Sequence, residues 1–123
     1  MDLDRASVVD KNFTTRVLAQ DFPIAKSKTT PKDAQLTKEA FLELFDSQLV
    51  SRHLDLMARI LREQNKGFYT IGSSGHEGNA AIAKAFRKND IAFLHYRSGA
   101  FMVQRAKKDP SIDIIYDQVL SLV

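Results

Sequence analysis

The strongest pattern of apolar and polar positions in the chain is helical and runs from Lys38 to about Lys66. Leu42, Phe45, Leu49, Leu56 and Ile60 fall on one stripe, and Val50, Leu54, Met57 and Leu61 on an adjoining one. Together they cover nearly half the circumference, which predicts a helix buried on more than one side. Arg52, Asp55, Arg59 and Arg62 lie opposite. Thr37 is placed to cap the first turn, Leu36 and Phe41 flank it as a hydrophobic staple, and Gly67 is the expected stop.

Around this helix the pattern is shorter-ranged. Val8, Val9, Phe13, Val17 and Leu18 give a weaker apolar face from about Ser7 to Gln20, which Asp21-Phe22-Pro23 ends, and Lys26 to Lys32 reads as a polar linker. Phe68 to Gly75 is a loop. A helix starting at Ser74 or Gly75 runs to about Phe86 and carries Ala80, Ala81, Ala83 and Ala85 for close packing. Lys88-Asn89-Asp90 is a turn, and Ile91 to His95 has the length and apolar character of a buried parallel strand. A helix follows from Ser98 or Gly99 to Lys107, then a turn at Asp109-Pro110-Ser111 and a last helix opening at Pro110 or Ser111. The expected fold is mainly α with one or two short strands. Residues 1–36 form an N-terminal extension and linker, and residues 37–123 a domain.

Composition narrows the function classes. The chain has no cysteine, which removes disulfides and thiolate catalysis. Its apolar runs are too short for a membrane span. The opening MDLDRASVVDKNF has early acids and no apolar core, so it is no secretory signal, and the expected compartment is the cytoplasm. A formal charge of +3 is spread among interleaved acids rather than gathered with aromatics into a stripe, so a nucleic-acid partner is not expected. The chain stops on the apolar run Val119 to Val123 without a capping residue, and the expectation is that it is cut from something longer.

The candidate chemistry lies between Gly67 and Gly99. Tyr96 and Arg97 stand where the strand candidate stops and a helix begins. A guanidinium fork and a phenolic donor there suit a phosphate group, with helix N-terminal amides just beyond. The plainer alternative is a core tyrosine beside an arginine that reaches to water. The turn Gly72-Ser73-Ser74-Gly75-His76-Glu77-Gly78 lacks the Gly-Lys-Ser/Thr of a Walker loop, and Ala80 stands where a zincin needs its second histidine. Without a ligand it reads as a tight turn, with Ser74 capping a helix and Glu77 favouring its N-terminus.

GFYTIGSSGHEGNAAIA followed by LHYRSGAF resembles the first, decarboxylating component of the thiamine-diphosphate-dependent 2-oxo acid dehydrogenase complexes, in its alpha subunit or alpha half. The likeness covers roughly residues 37–123. It rests on an Arg-bearing long helix (Ser51 to Asp55), the Gly-His-Glu turn and a Tyr-Arg pair after an apolar strand, in that order. It implies that this is the N-terminal helical part of an α/β thiamine-diphosphate-binding fold. It further implies that Tyr96 and Arg97 hold the cofactor diphosphate, that His95 lies at the pocket rim, that Phe68 is an apolar wall and that His76 borders the substrate funnel. The implied activity is oxidative decarboxylation of a 2-oxo acid, of pyruvate or branched-chain type, with acyl transfer to lipoamide. The implied magnesium site uses a Gly-Asp-Gly motif and a later Asn, which this chain lacks. Implied partners are the beta subunit or fused beta half, a lipoyl-bearing acyltransferase component and a second copy of the chain. On that reading the chain alone binds the cofactor weakly or not at all and does not turn over. The competing expectation is a self-contained helical interaction module that uses the broad apolar face of the long helix.

Overall fold

Helix α2 (Lys38–Glu63) is the spine of a small helical assembly, and the face it buries is the one with the smallest side chains. In the computed structural model residues 5–24, 26–68 and 72–121 are described. They contain α1 (Arg5–Leu18), α2, α3 (Asn79–Ala85), α4 (Gly99–Ala106) and α5 (Ile114–Leu120), with no strand among them. The chain divides into two units, residues 1–30 and 31–123. No helix of the described residues is long and apolar enough to cross a membrane.

The first unit is built on α1. Its C-terminus is closed by Gln20 in the left-handed conformation (φ 54°). The Asp21 amide donates to Arg16 O (2.9 Å) and the Gln20 amide to Val17 O (3.1 Å), a Schellman closure that satisfies two terminal carbonyls. The apolar residues Val8, Val9, Phe13, Val17 and Leu18 are exposed.

The second unit opens with a single turn from Pro31, closed the same way by Gln35 (φ 55°) and a bond from Leu36 N to Pro31 O (2.9 Å). Thr37 then caps α2 in extended geometry and accepts from Ala40 N (3.1 Å). The helix stops before Gly67, because Asn65 (φ 57°) takes the left-handed position, with Lys66 N on Leu61 O (2.8 Å) and Asn65 N on Arg62 O (2.9 Å). Asparagine tolerates that region well enough to replace glycine there.

The two broad apolar stripes are not the buried face of α2. Phe41, Leu42, Phe45, Met57 and Ile60 remain between 44% and 52% exposed, while Leu44, Ser47, Ser51 and Ala58 are buried. Ser47, Ser51 and Ala58 are small and let α3 and α4 approach closely, and α2 packs on α3, α4 and α5. Ala80 and Ala83 of α3 and Ala100, Phe101, Val103 and Ala106 of α4 fill the space between. Phe86 and Phe101 meet edge to face at 5.7 Å.

Three other expectations need correction. Helix α3 begins at Asn79 rather than Ser74 or Gly75, because Gly75 sits at φ +87° and Glu77 turns back to accept its amide (2.8 Å). Residues 91–95 form no strand. A ladder needs a second strand and none exists among the described residues, so Ile91 (84%) and Phe93 (98%) face outward. Helix α5 begins at Ile114, capped by Asp113 on Tyr116 N (3.0 Å), because Asp109 holds Ser111 in the preceding turn.

Polar ties complete the packing. Gln104, fully buried on α4, accepts from Ser47 Oγ (2.8 Å) and donates to Glu43 Oε1, which Lys84 also reaches (2.9 Å). The bond from Lys84 and then that from Gln104 hold the Glu43 carboxyl below its ordinary range. Arg105 donates to Lys88 O (2.7 Å) and Asp90 O (2.9 Å), and Lys108 donates to the terminal α3 carbonyls of Ala83 (2.8 Å), Lys84 (2.9 Å) and Phe86. Replacing Gln104 by Leu is expected to lower stability by about 1–3 kcal/mol, because a buried hydrogen-bonded amide is lost while its partners stay. Urea denaturation measures this, and an unchanged midpoint would show that the network does not hold α4.

Candidate functional site

The site forms where two backbones close on α2. At Gly72 a Cβ would lie 2.7 Å from Asp55 Oδ2, and at Gly99 a Cβ would lie 2.8 Å from Ser51 Oγ. Any side chain at either position would displace the contact. Glycine therefore allows the loop after residue 71 and the first turn of α4 to sit directly on the helix.

Beneath them is a polar chain of two buried serines, Ser51 and Ser73, and the half-buried Asp55. Asp55 Oδ2 accepts both the Ser73 amide (2.8 Å) and the Ser73 hydroxyl (3.0 Å). Since the Ser73 proton goes to Asp55, Ser51 is the donor in the 2.7 Å contact between the two serine hydroxyls. Burial pushes the Asp55 carboxyl up, with the Ser73 bonds and Arg52 pulling it down and Glu77 adding to the rise. Asp55 was expected on the solvent side of α2, and the role of Ser51, Asp55 and Ser73 is not visible in the apolar stripes. The signal that could have found them is spacing: Leu44, Ser47, Ser51, Asp55 and Ala58 recur at helical intervals as a face of mostly small residues.

Above that chain, the structure brings together residues that are distant in sequence. Arg97 Nη1 donates to Gly72 O (2.8 Å), and the guanidinium carbon lies 5.2 Å from the Tyr96 ring centroid. The Arg97 amide donates to His95 Nδ1 (3.1 Å), so the neutral imidazole carries its proton on Nε2. Ser98 Oγ accepts from His95 N (3.3 Å) and Ser98 N donates to His95 O (2.9 Å), forming a tight turn. His76 meets the His95 ring edge to face at 5.4 Å, and His95 meets Tyr96 at 5.6 Å. His76, His95, Tyr96 and Arg97 thus form one contiguous row at the entrance to α4.

The row is exposed in part. Tyr96 is 61% exposed. Arg97 is half-buried, and of its side-chain nitrogens Nη1 alone donates to a protein acceptor among the described residues. No side chain caps the first turn of α4, since Ser98 is committed to His95. Phe68 does not join the row: it is 90% exposed and makes no ring contact with these residues. Tyr69 lies outside the described residues. No group of three or more histidine or carboxylate side chains that could hold a metal ion occurs among the described residues, so no magnesium ligand is assigned.

No protein-family profile, no curated protein and no solved structure matches the chain.

The close approach at Gly99 yields a direct test. Gly99→Ala is expected to cost about 1–3 kcal/mol through overpacking, and Ser51→Ala, which removes the obstructing oxygen, is expected to restore part of that loss. A double-mutant cycle by thermal denaturation reads the coupling. Strict additivity would show that Gly99 and Ser51 do not constrain each other.

Proposed function

We propose that the chain is the N-terminal part of the first component of a 2-oxo acid dehydrogenase, and that Tyr96 and Arg97 contribute to binding the diphosphate of thiamine diphosphate. The observation that carries this reading is the contiguous row His76, His95, Tyr96 and Arg97 beside a helix start whose N-cap, Ser98, makes no side-chain cap bond. A diphosphate needs charge-assisted donors held in fixed geometry, and a guanidinium tethered through one nitrogen keeps the others for an anion. His95 adds an Nε2 proton, and Tyr96 lies beside the guanidinium. The residues fit the anionic end of the cofactor. When bound, thiamine diphosphate would supply the carbanion chemistry of 2-oxo acid decarboxylation. The role of this chain is to orient the diphosphate and to place His76 beside the substrate path.

The chain alone is expected to bind thiamine diphosphate on the order of millimolar, since one side of a clamp offers few contacts, and to show no decarboxylation. Amide chemical shifts followed during titration are expected to move at His76 and from His95 to Gly99, with inorganic diphosphate competing. Arg97→Ala is expected to abolish the response. Shifts elsewhere only, or a response untouched by Arg97→Ala, would remove the diphosphate role.

A second reading is favoured by the exposed apolar face of α2, with Phe41, Leu42, Phe45, Met57 and Ile60. On it the chain is an interaction module, and a second copy covers this face, because like apolar faces bury each other without a charge penalty. Multi-angle light scattering is expected to show a dimer that Phe45→Glu converts to a monomer. A monomer at high concentration in the unaltered chain would remove this association. Binding of diphosphate with Arg97 dependence would separate the first reading from the module alone.

A further inference from the structure

The Arg97 guanidinium is oriented by a group that it does not touch. Its Nη1 rests on the Gly72 carbonyl (2.8 Å), and the amide nitrogen of the same peptide group, that of Ser73, donates to Asp55 Oδ2 (2.8 Å). A trans peptide is planar, with its C=O and N–H pointing in opposite directions. The carboxylate on one side and the guanidinium on the other therefore polarise a single amide from both ends. Turning that peptide would break a bond to a charged group at each end, and these are the stronger class of protein hydrogen bonds. The surroundings hold it further. The Ser73 hydroxyl is also on Asp55, Ser51 locks the Ser73 hydroxyl, and the Cβ missing at Gly72 leaves the space that Asp55 Oδ2 occupies.

We propose that Asp55 is a positioning residue for Arg97, acting through the peptide group between Gly72 and Ser73, and that it thereby sets the direction in which the guanidinium meets an anionic ligand. The nature of that ligand rests on the diphosphate reading given above, whereas the coupling of Asp55 to Arg97 stands on the geometry alone. The charged groups bearing on Asp55 are Arg52 from its own helix and Glu77 from the turn that follows the loop, while Arg97 sits on the far side of the peptide, on the Gly72 carbonyl. Burial raises the Asp55 carboxyl, so its charged form is less favourable in the fold than in the unfolded chain. Its contribution to stability is accordingly greatest at low pH and is lost as the pH rises through the raised value. Its hold on Ser73 and Arg97 runs the other way and strengthens on ionisation.

The test uses the whole chain and the ¹⁵N–¹H signal of the Arg97 side-chain Nε. In the unaltered protein this signal is expected to titrate with the midpoint of the Asp55 carboxyl carbon, above that of an ordinary aspartate. Asp55→Ala is expected to shift the signal to that of a solvated arginine, and Asp55→Asn, which keeps an acceptor without charge, to give an intermediate position. Ala106→Gly, a packing change at the far end of α4, serves as the control and is expected to leave the signal in place. An Arg97 signal indifferent to the Asp55 titration, or moved equally by Ala106→Gly, overturns the proposal, and the titration decides the matter even where Asp55→Ala fails to fold. Inorganic diphosphate is the ligand probe, with an expected affinity loss of about tenfold in Asp55→Ala. Equal affinity in the two proteins overturns the positioning role while the diphosphate reading survives. Coupling between Asp55 and Arg97 without any diphosphate response leaves the positioning role and removes the diphosphate.

Discussion

Everything in the second unit depends on how closely other backbone can approach one face of α2. Ser47, Ser51 and Ala58 are small enough, and Gly72 and Gly99 bare enough, for the Gly72–Ser73 loop and the start of α4 to lie against the helix surface. That approach brings the Ser73 amide to Asp55 and the Gly72 carbonyl to Arg97. A larger residue at any of these contacts would not only loosen the packing. It would also separate the row of donors at residues 95–97 from its support.

So tight a face leaves little apolar volume between the helices, and polar bonds supply the remaining cohesion. The core is made of alanines, Leu44, Phe101 and Val103, with Gln104 and Ser47 fully enclosed and satisfied by each other and by Glu43. Lys108 and Arg105 spend their donors on backbone carbonyls at the end of α3 and at the turn that follows. Meanwhile larger apolar side chains, Phe41, Phe45, Ile91 and Phe93 among them, face outward. In the second unit, exposed apolar side chains include one side of α2 and the extended residues before His95.

This distribution explains which features could be read in advance. Thr37 as a cap, the length of α2 and the start of α4 at Gly99 follow from local chemistry, since each depends on residues within one or two turns. The N-terminal edges of α3 and α5 do not, because Glu77 and Asp109 bind backbone in the preceding turns and delay the helices. The strand expected at residues 91–95 shows the sharpest limit of pattern reading. Its apolar run suits a strand, but pairing is a property of two segments and the pattern describes one. At the site, Tyr96, Arg97, His95 and His76 stand out by residue type. Asp55 and Ser73 do not, since a carboxylate on a helix facing arginines looks like solvated surface until the loop is folded over it.

The same folding assigns distinct tasks to two layers. The outer layer, His76 with His95, Tyr96 and Arg97, is exposed or half-buried and has aromatic and cationic character. In the inner layer Ser51 and Ser73 are buried, Asp55 is half-buried, and the three are hydrogen-bonded to one another. One peptide group joins them. A guanidinium fixed by a flexible surface carboxylate would lose its direction with every rotamer change, whereas one fixed by backbone inherits the rigidity of the fold. Placing the charge of Asp55 one amide away has a second consequence. It directs Arg97 without neutralising it by direct contact, so the positive charge remains available to whatever anion approaches from the open side.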